Sequence, residues 1–182
     1  MKLRSFLVGL TCGTALGSAL LWLGYADWYP VFAPLAQEPL VIRADAKGDG
    51  RFGAPRSGSR RHQGVDIQAP LGSPVKAIRG GRVIAVGRHR GLGRYLQVEH
   101  GGGVRSLYAH LDEIQVDVGA RVRQGQAIGT VGRTGNARHP WIAPHLHLEV
   151  TRDGSVIDPQ TLGLALVGPT ERVSDADARG GE

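Results

Sequence analysis

An all-β fold is the class this sequence predicts, and three observations predict it. Glycine is abundant, at 28 of 182 residues. Uninterrupted runs of helix-forming residues are therefore few, and short strands joined by tight turns are the natural use of such a chain. Where a hydrophobic period is visible, it is two. Leu107, Ala109 and Leu111 alternate with Ser106, Tyr108 and His110, and Leu146, Leu148 and Val150 alternate with His145, His147 and Glu149. That alternation marks a strand with one buried face. The length leaves room for one domain once a distinct N-terminal segment is set aside.

The elements follow in order. Lys2 and Arg4 precede a stretch, 5–26, that runs for about 22 residues without a charge, long enough to cross a bilayer core. The basic flank predicts a cytoplasmic N-terminus and an exported remainder. Two readings of residues 1–26 stand: a retained signal-anchor helix and a signal peptide cleaved after Ala26. Trp22, Tyr25, Trp28 and Tyr29 sit where an interfacial aromatic belt forms, which favours the anchor. Residues 27–46 contain Pro30, Pro34 and Pro39 and predict an extended linker. The domain is expected over 47–160. Within it, 75–78, 82–86 and 95–99, each bounded by glycine, add strands to those at 106–111 and 145–150. Residues 161–182 form a C-terminal tail, in which 162–167 can pack back on the domain and 170–182 are expected to be disordered.

Three stretches carry residue types suited to a metal: His62-Gln63-Gly64-Val65-Asp66, Tyr108-Ala109-His110-Leu111 and His145-Leu146-His147. Zinc in a catalytic site takes three protein ligands and keeps a fourth position for water. An H-x-x-x-D and an H-x-H together offer three ligands and one spare imidazole. His145 and His147 share a strand face with Cβ atoms roughly 7 Å apart, so one can bind a metal while its neighbour reaches substrate or water. In a straight strand the Cα atoms of His62 and Asp66 would lie about 13 Å apart. A bend is therefore expected at Gln63-Gly64, where glycine permits a turn or bulge. Glu149 shares the face of His145 and His147 and is either an orienting group for a ligand or a surface carboxylate. Tyr108 either bonds to substrate beside His110 or covers the core edge. His139 and Trp141 belong to the loop leading to the site strand and are candidates to line a groove. His89 and His100 read as satisfied or exposed histidines. Arg51, Arg56, Arg60 and Arg61 form either a solvated basic loop or a contact for carboxylates.

These stretches, in this order, resemble the signature of the lysostaphin/LytM-type zinc endopeptidases. So do Gly53, Gly72-Ser73-Pro74-Val75, Gly80-Gly81-Arg82-Val83 and the run from Gly125 to Asn136. The similarity covers the chain from Arg51 to Pro159. It implies a compact antiparallel β-sheet, barrel- or sandwich-like, with a groove walled by loops. It further implies one zinc per chain, with His62, Asp66 and His147 as ligands and His110 and His145 as catalytic histidines. One of these two then moves the proton between water and leaving amine while the other stabilises the oxyanion. The implied substrate is the cross-link or stem peptide of bacterial peptidoglycan. Diaminopimelate-type cross-links suit an exported chain without wall-binding repeats, and glycine bridges are the alternative. A rival class is the non-catalytic regulator of other wall hydrolases, since some relatives have lost ligands; here none of the five expected residues is missing. A carrier-type domain, suggested by the turns of 119–132, lacks a modification lysine at a hairpin tip.

The net charge of +6 suits anionic surroundings such as cell wall or phospholipid headgroups. No basic helix or aromatic-basic ladder points to nucleic acid. A single cysteine, Cys12, excludes a disulfide within the chain and leaves stability to the core and the metal. The expected partners are peptidoglycan peptides, a membrane through the N-terminal segment, and a regulatory protein. The expected location is the cell membrane, with the domain on its extracytoplasmic side, or the periplasm.

Overall fold

The computed structural model describes residues 31–46 and 48–169. The apolar span at 5–26 and the tail at 170–182 lie outside the described residues, and with them the choice between anchor and signal peptide. The regular structure of the described residues is almost all strand. Its helical content is two short 3-10 segments, Gly135–Arg138 and Pro159–Leu162. Near the N-terminal end come β1 (Leu40–Val41), β2 (Ala44–Asp45), β3 (Gly48–Asp49), β4 (Gly64–Gln68) and β5 (Pro74–Lys76). The long strands follow: β6 (Gly81–His89), β7 (Gly93–Glu99) and β8 (Val104–Ile114). Then come β9 (Arg121–Val122), β10 (Ala127–Val131), β11 (His145–Arg152), β12 (Ser155–Ile157) and β13 (Leu166–Val167).

Nine of these strands form one antiparallel sheet with the path β12-β11-β8-β7-β6-β9; β4 lies beside β11, and β10 joins β5 to β8. β11 is covered along both edges, by β8 on one and by β4 and then β12 on the other. The alternation read in β11 holds: Leu146, Leu148 and Val150 belong to the hydrophobic core, and the histidines face the other way.

β8 departs from simple alternation. Leu96 pairs with Tyr108 and Arg94 with Leu111, so Ala109 and His110 together oppose Tyr95. This is a β-bulge, and one extra residue reverses the parity of the strand beyond it. Val104 and Tyr108 point into the core before the bulge, and Leu111 does so after it. Tyr108 is therefore fully buried rather than on the face that presents His110. Its hydroxyl accepts from Ile78 N at 2.9 Å and lies 3.0 Å from Ser106 Oγ. Those partners make burial of the phenol affordable. Burial also pushes its pKa to about 12.

The segment read as a proline-rich linker is part of the domain from Val31 onward. Phe32 N donates to Ile78 O and Lys76 N to Pro34 O. Leu35, Leu40 and Ile42 are buried. β1 pairs in parallel with β13, and Ile42 bridges Ile67 of β4. The prolines fall at positions that need no amide hydrogen for these contacts, so they do not stop the apolar residues between them from packing.

Candidate metal centre

The β4–β11–β8 register builds the site. His147 lies directly opposite Asp66 on one side and opposite Ala109 on the other. Opposed residues of an antiparallel pair share a face, so Asp66 and His147 meet without any special loop. His145, two residues earlier on the same strand, falls on the same face. His62 precedes β4 in a loop closed by the Pro55–Arg61 bridge and by bonds from His62 N to Ala54 O and from Gly53 N to His62 O. The expected bend at Gly64 is not what glycine does here. Gly64 opens β4, and a Cβ on it would lie 2.4 Å from Leu148 O. Its role is to let β4 approach β11.

Three ligand atoms converge. His62 Nε2 lies 3.1 Å from His147 Nδ1 and 3.2 Å from Asp66 Oδ1, and His147 Nδ1 lies 2.7 Å from Asp66 Oδ1. The three residues are buried, and their ligand atoms lie within 4.8 Å of one another. Each ring is tied at its far nitrogen. His62 Nδ1 donates to Arg51 O at 2.9 Å, and His147 Nε2 donates to Glu149 Oε1 at 2.9 Å. With the far nitrogens tethered, two imidazole nitrogens and a carboxylate oxygen are turned toward one another. Such a donor set calls for a cation, and two imidazoles with one carboxylate suit zinc. Without an ion the proton goes to His147. Burial opposes its charge, but hydrogen bonds to Asp66 and Glu149 outweigh burial and raise its pKa to about 9. Burial likewise works against the Asp66 carboxylate, yet the bonds to His147 and His62 hold it well below the usual carboxylate range.

His110 and His145 complete the cluster from neighbouring strands, their ring centroids 4.9 Å apart and edge to face. His110 Nδ1 donates to Thr134 O at 2.9 Å and His145 Nδ1 to Ala143 O at 2.7 Å, which leaves Nε2 of each as the free nitrogen. Burial, then repulsion from His145 and His147, lowers the pKa of His110 to about 3. Burial lowers that of His145 as well, with Asp66 partly compensating. Both rings are neutral near pH 7 and offer a lone pair. They border a groove of about 700 Å³.

The other sequence candidates divide. Glu149 lines the groove and orients His147. Tyr108 does not reach the groove. Trp141 is exposed and stacks on His139, with centroids 4.8 Å apart, while the groove wall is made by its neighbour Ile142. Arg56, Arg60 and Arg61 line the groove, whereas the Arg51 side chain pairs with Asp49 and only its carbonyl serves the site. Sequence reasoning missed Arg43, whose Nη2 lies 2.9 Å from Asp66 Oδ2, and His89 and Asn136 on the groove wall. The signal for Arg43 was a charge ending the apolar run Leu40-Val41-Ile42.

Residues 60–159 match peptidase family M23. The chain is 38% identical over 118 residues to the DD-carboxypeptidase/endopeptidase Mpg of Neisseria meningitidis, a match covering 65% of this chain and 25% of that protein. It is 40% identical over 110 residues to the murein hydrolase activator EnvC of Escherichia coli, covering 60% of this chain and 25% of that protein. The chain thus spans about a quarter of the length of the curated relatives it matches. Among solved structures, a zinc containing peptidase from Vibrio cholerae superposes with a TM-score of 0.58 at 31% identity, over 73% of this chain and 39% of that one.

Proposed function

The chain belongs to peptidase family M23, and from that premise we propose that it is a zinc-dependent endopeptidase cleaving cross-link or stem peptides of bacterial peptidoglycan. The observation that carries this reading is the convergence of His62, Asp66 and His147 beside two neutral imidazoles on one groove. In this reading His62 Nε2, Asp66 Oδ1 and His147 Nδ1 hold one zinc. Bound there, zinc supplies Lewis acidity toward a peptide carbonyl and toward water. His110 and His145 each present an Nε2 lone pair. The ring that accepts the proton of the attacking water becomes a donor at the same atom, and it returns the proton to the leaving amine or holds the oxyanion. Tethers on Nδ1 keep both rings aimed while this happens.

Charge on the groove narrows the substrate. Arg60 Nε donates to Ser57 O and Arg61 Nη1 to Gly53 O. Their remaining N–H groups suit a carboxylate-bearing peptide, as in diaminopimelate-type cross-links, better than a glycine bridge. The proposed place of action is outside the cytoplasmic membrane, where residues 1–26 deliver the domain as an anchor or a signal peptide.

The likeness to a murein hydrolase activator favours a second reading, a regulator that cuts nothing itself. Digestion of purified peptidoglycan with and without a chelator separates the two. New peptide termini that vanish with the chelator are expected; a regulator alone would produce none and would speed a second hydrolase. His62→Ala should lose zinc and cleavage together. His110→Ala should keep its zinc yet cleave roughly 10²-fold more slowly, the usual scale for a positioned acid or base. Loss of zinc in His110→Ala would reverse the division of roles.

A further inference from the structure

Arg43, Asp45 and Gly50 lie outside the matched stretch of 60–159 yet grip the centre of the site. Arg43 N donates to Asp66 O at 2.8 Å, Asp66 N to Gly50 O at 2.9 Å, and Gly50 N to Arg43 O at 2.8 Å. A Cβ on Gly50 would lie 2.8 Å from Asp66 Cβ, so this segment packs directly on the aspartate. The Arg43 side chain is buried. Its Nη2 lies 2.9 Å from Asp66 Oδ2 and its Nη1 2.5 Å from Asp45 Oδ2. Arg56 Nη2 approaches the same Asp66 Oδ2 at 3.5 Å. The two oxygens of Asp66 are thereby divided: Oδ1 faces His62 and His147, and Oδ2 faces guanidinium groups. Asp45 carries the link onward. Its Oδ2 accepts from Ala143 N at 3.1 Å, and Ala143 O is the acceptor that fixes the His145 ring.

We infer that Arg43 and Asp45 are positioning residues: Arg43 pins Asp66 Oδ2 so that the carboxylate offers a cation one oxygen, and Asp45 couples that constraint to the loop that aims His145. The inference rests on the zinc-endopeptidase reading. Its physical basis is that guanidinium has donors and no lone pair. Asp66 cannot turn Oδ2 toward an ion without breaking a buried, charge-assisted bond, and a buried Arg43 left unpaired would be costly in its own right. A carboxylate held to one oxygen leaves more of the ion's coordination open to water and substrate. The carbonyl that sets the His145 ring moves with the same loop.

The test uses the full chain, loaded with cobalt(II) in place of zinc, in wild type, Arg43→Met, Arg43→Lys and Asp45→Asn. The intensity of the visible cobalt bands reports coordination number, and it is read whether or not the protein cleaves. Arg43→Met should show weaker bands, as the freed Oδ2 joins the ion, together with zinc affinity lowered about 10-fold or more and a lower kcat at unchanged KM. Arg43→Lys, which keeps charge and one donor head, should restore part of the band intensity and of kcat. Asp45→Asn should keep the zinc and lower kcat with little change in KM. If Arg43→Met does not fold, the Arg43→Lys spectrum and kcat decide. Wild-type spectra, zinc affinity and kcat in the folded Arg43 variants would overturn the inference. A wild-type protein that binds zinc but never cleaves would instead overturn the endopeptidase reading and leave the spectra to judge Arg43.

Discussion

His110 sits in a backbone conformation that L-residues avoid, with φ of 62°. Its N–H donates to Leu92 O, its carbonyl accepts from Gly132 N, and its ring donates to Thr134 O. Such a conformation costs about 1–2 kcal/mol for a residue with a Cβ, and its place beside the groove fits strain held at a working residue. His110→Gly should therefore be more stable than His110→Ala by about 1 kcal/mol and melt higher, while both cleave far more slowly than wild type; equal melting temperatures would mean that the bulge carries no strain. His147 sets a pH dependence. In the metal-free protein its pKa rises from 6.5 to about 9, so the stabilisation from its proton is complete below about 6.5 and is lost as pH rises through about 9. Zinc needs the same nitrogen bare. Zinc affinity should climb from about pH 6 to about pH 8, and so should the rise in melting temperature on adding zinc. A dye-competition titration that is flat over that range would remove His147 Nδ1 from the ligand set. The five residues of the cluster were legible in the sequence because histidines and an aspartate at fixed spacing have few structural uses. Arg43 and Asp45 were not, since nothing in a linear reading sets a lone charge beside a residue 23 positions away.

At the scale of elements, the β4–β11 pair is what brings Asp66 to His147, and Gly64 is what lets it close. A methyl at Gly64 meets Leu148 O and Glu149 Cγ, at 2.4 and 2.9 Å. Gly64→Ala should cost about 1–3 kcal/mol, as overpacking does, and should weaken zinc binding by displacing Glu149 from His147. Gly101→Ala, where a Cβ meets nothing within 4 Å, is the control and should stay within about 0.5 kcal/mol of wild type. Thermal melts and zinc titration of the two variants check this. β11 was legible because one of its faces is core along its whole length. β8 was legible as a strand but not in its faces, because a bulge is one unmarked residue and flips every side chain after it. β4 showed no alternation, for four of its five residues are buried.

For the molecule as a whole, the working unit is larger than its family signature. A chain beginning at residue 60 would lack Leu35, Leu40, Ile42 and Arg43, all buried, and should melt well below a chain beginning at Val31 and hold zinc poorly. Circular dichroism melts and metal content of the two truncations decide it; equal values would make residues 31–49 dispensable. The all-β class was legible from glycine content and period two. The role of residues 31–46 was not, because prolines hid apolar residues that pack only in three dimensions.

The path of that segment also sets how the protein would answer to tension. Between a pull on the chain at Val31 and the aspartate stand the bonds of Phe32 and Pro34 to the β5 region, the buried Leu35, the bond from Gln37 Nε2 to Gln68 O, the two-residue pairing of β1 with β13, the bond from Ile42 N to Val167 O and the Ile42–Ile67 bridge. The long strands β6, β7, β8 and β11 share load over many bonds and lie beyond it. Force applied from the N-terminal side would unzip the segment in sequence, reach Arg43 and draw it from Asp66 while the nine-stranded sheet was still whole. The site would slacken before the fold failed, so a load on this chain would register first as lost chemistry.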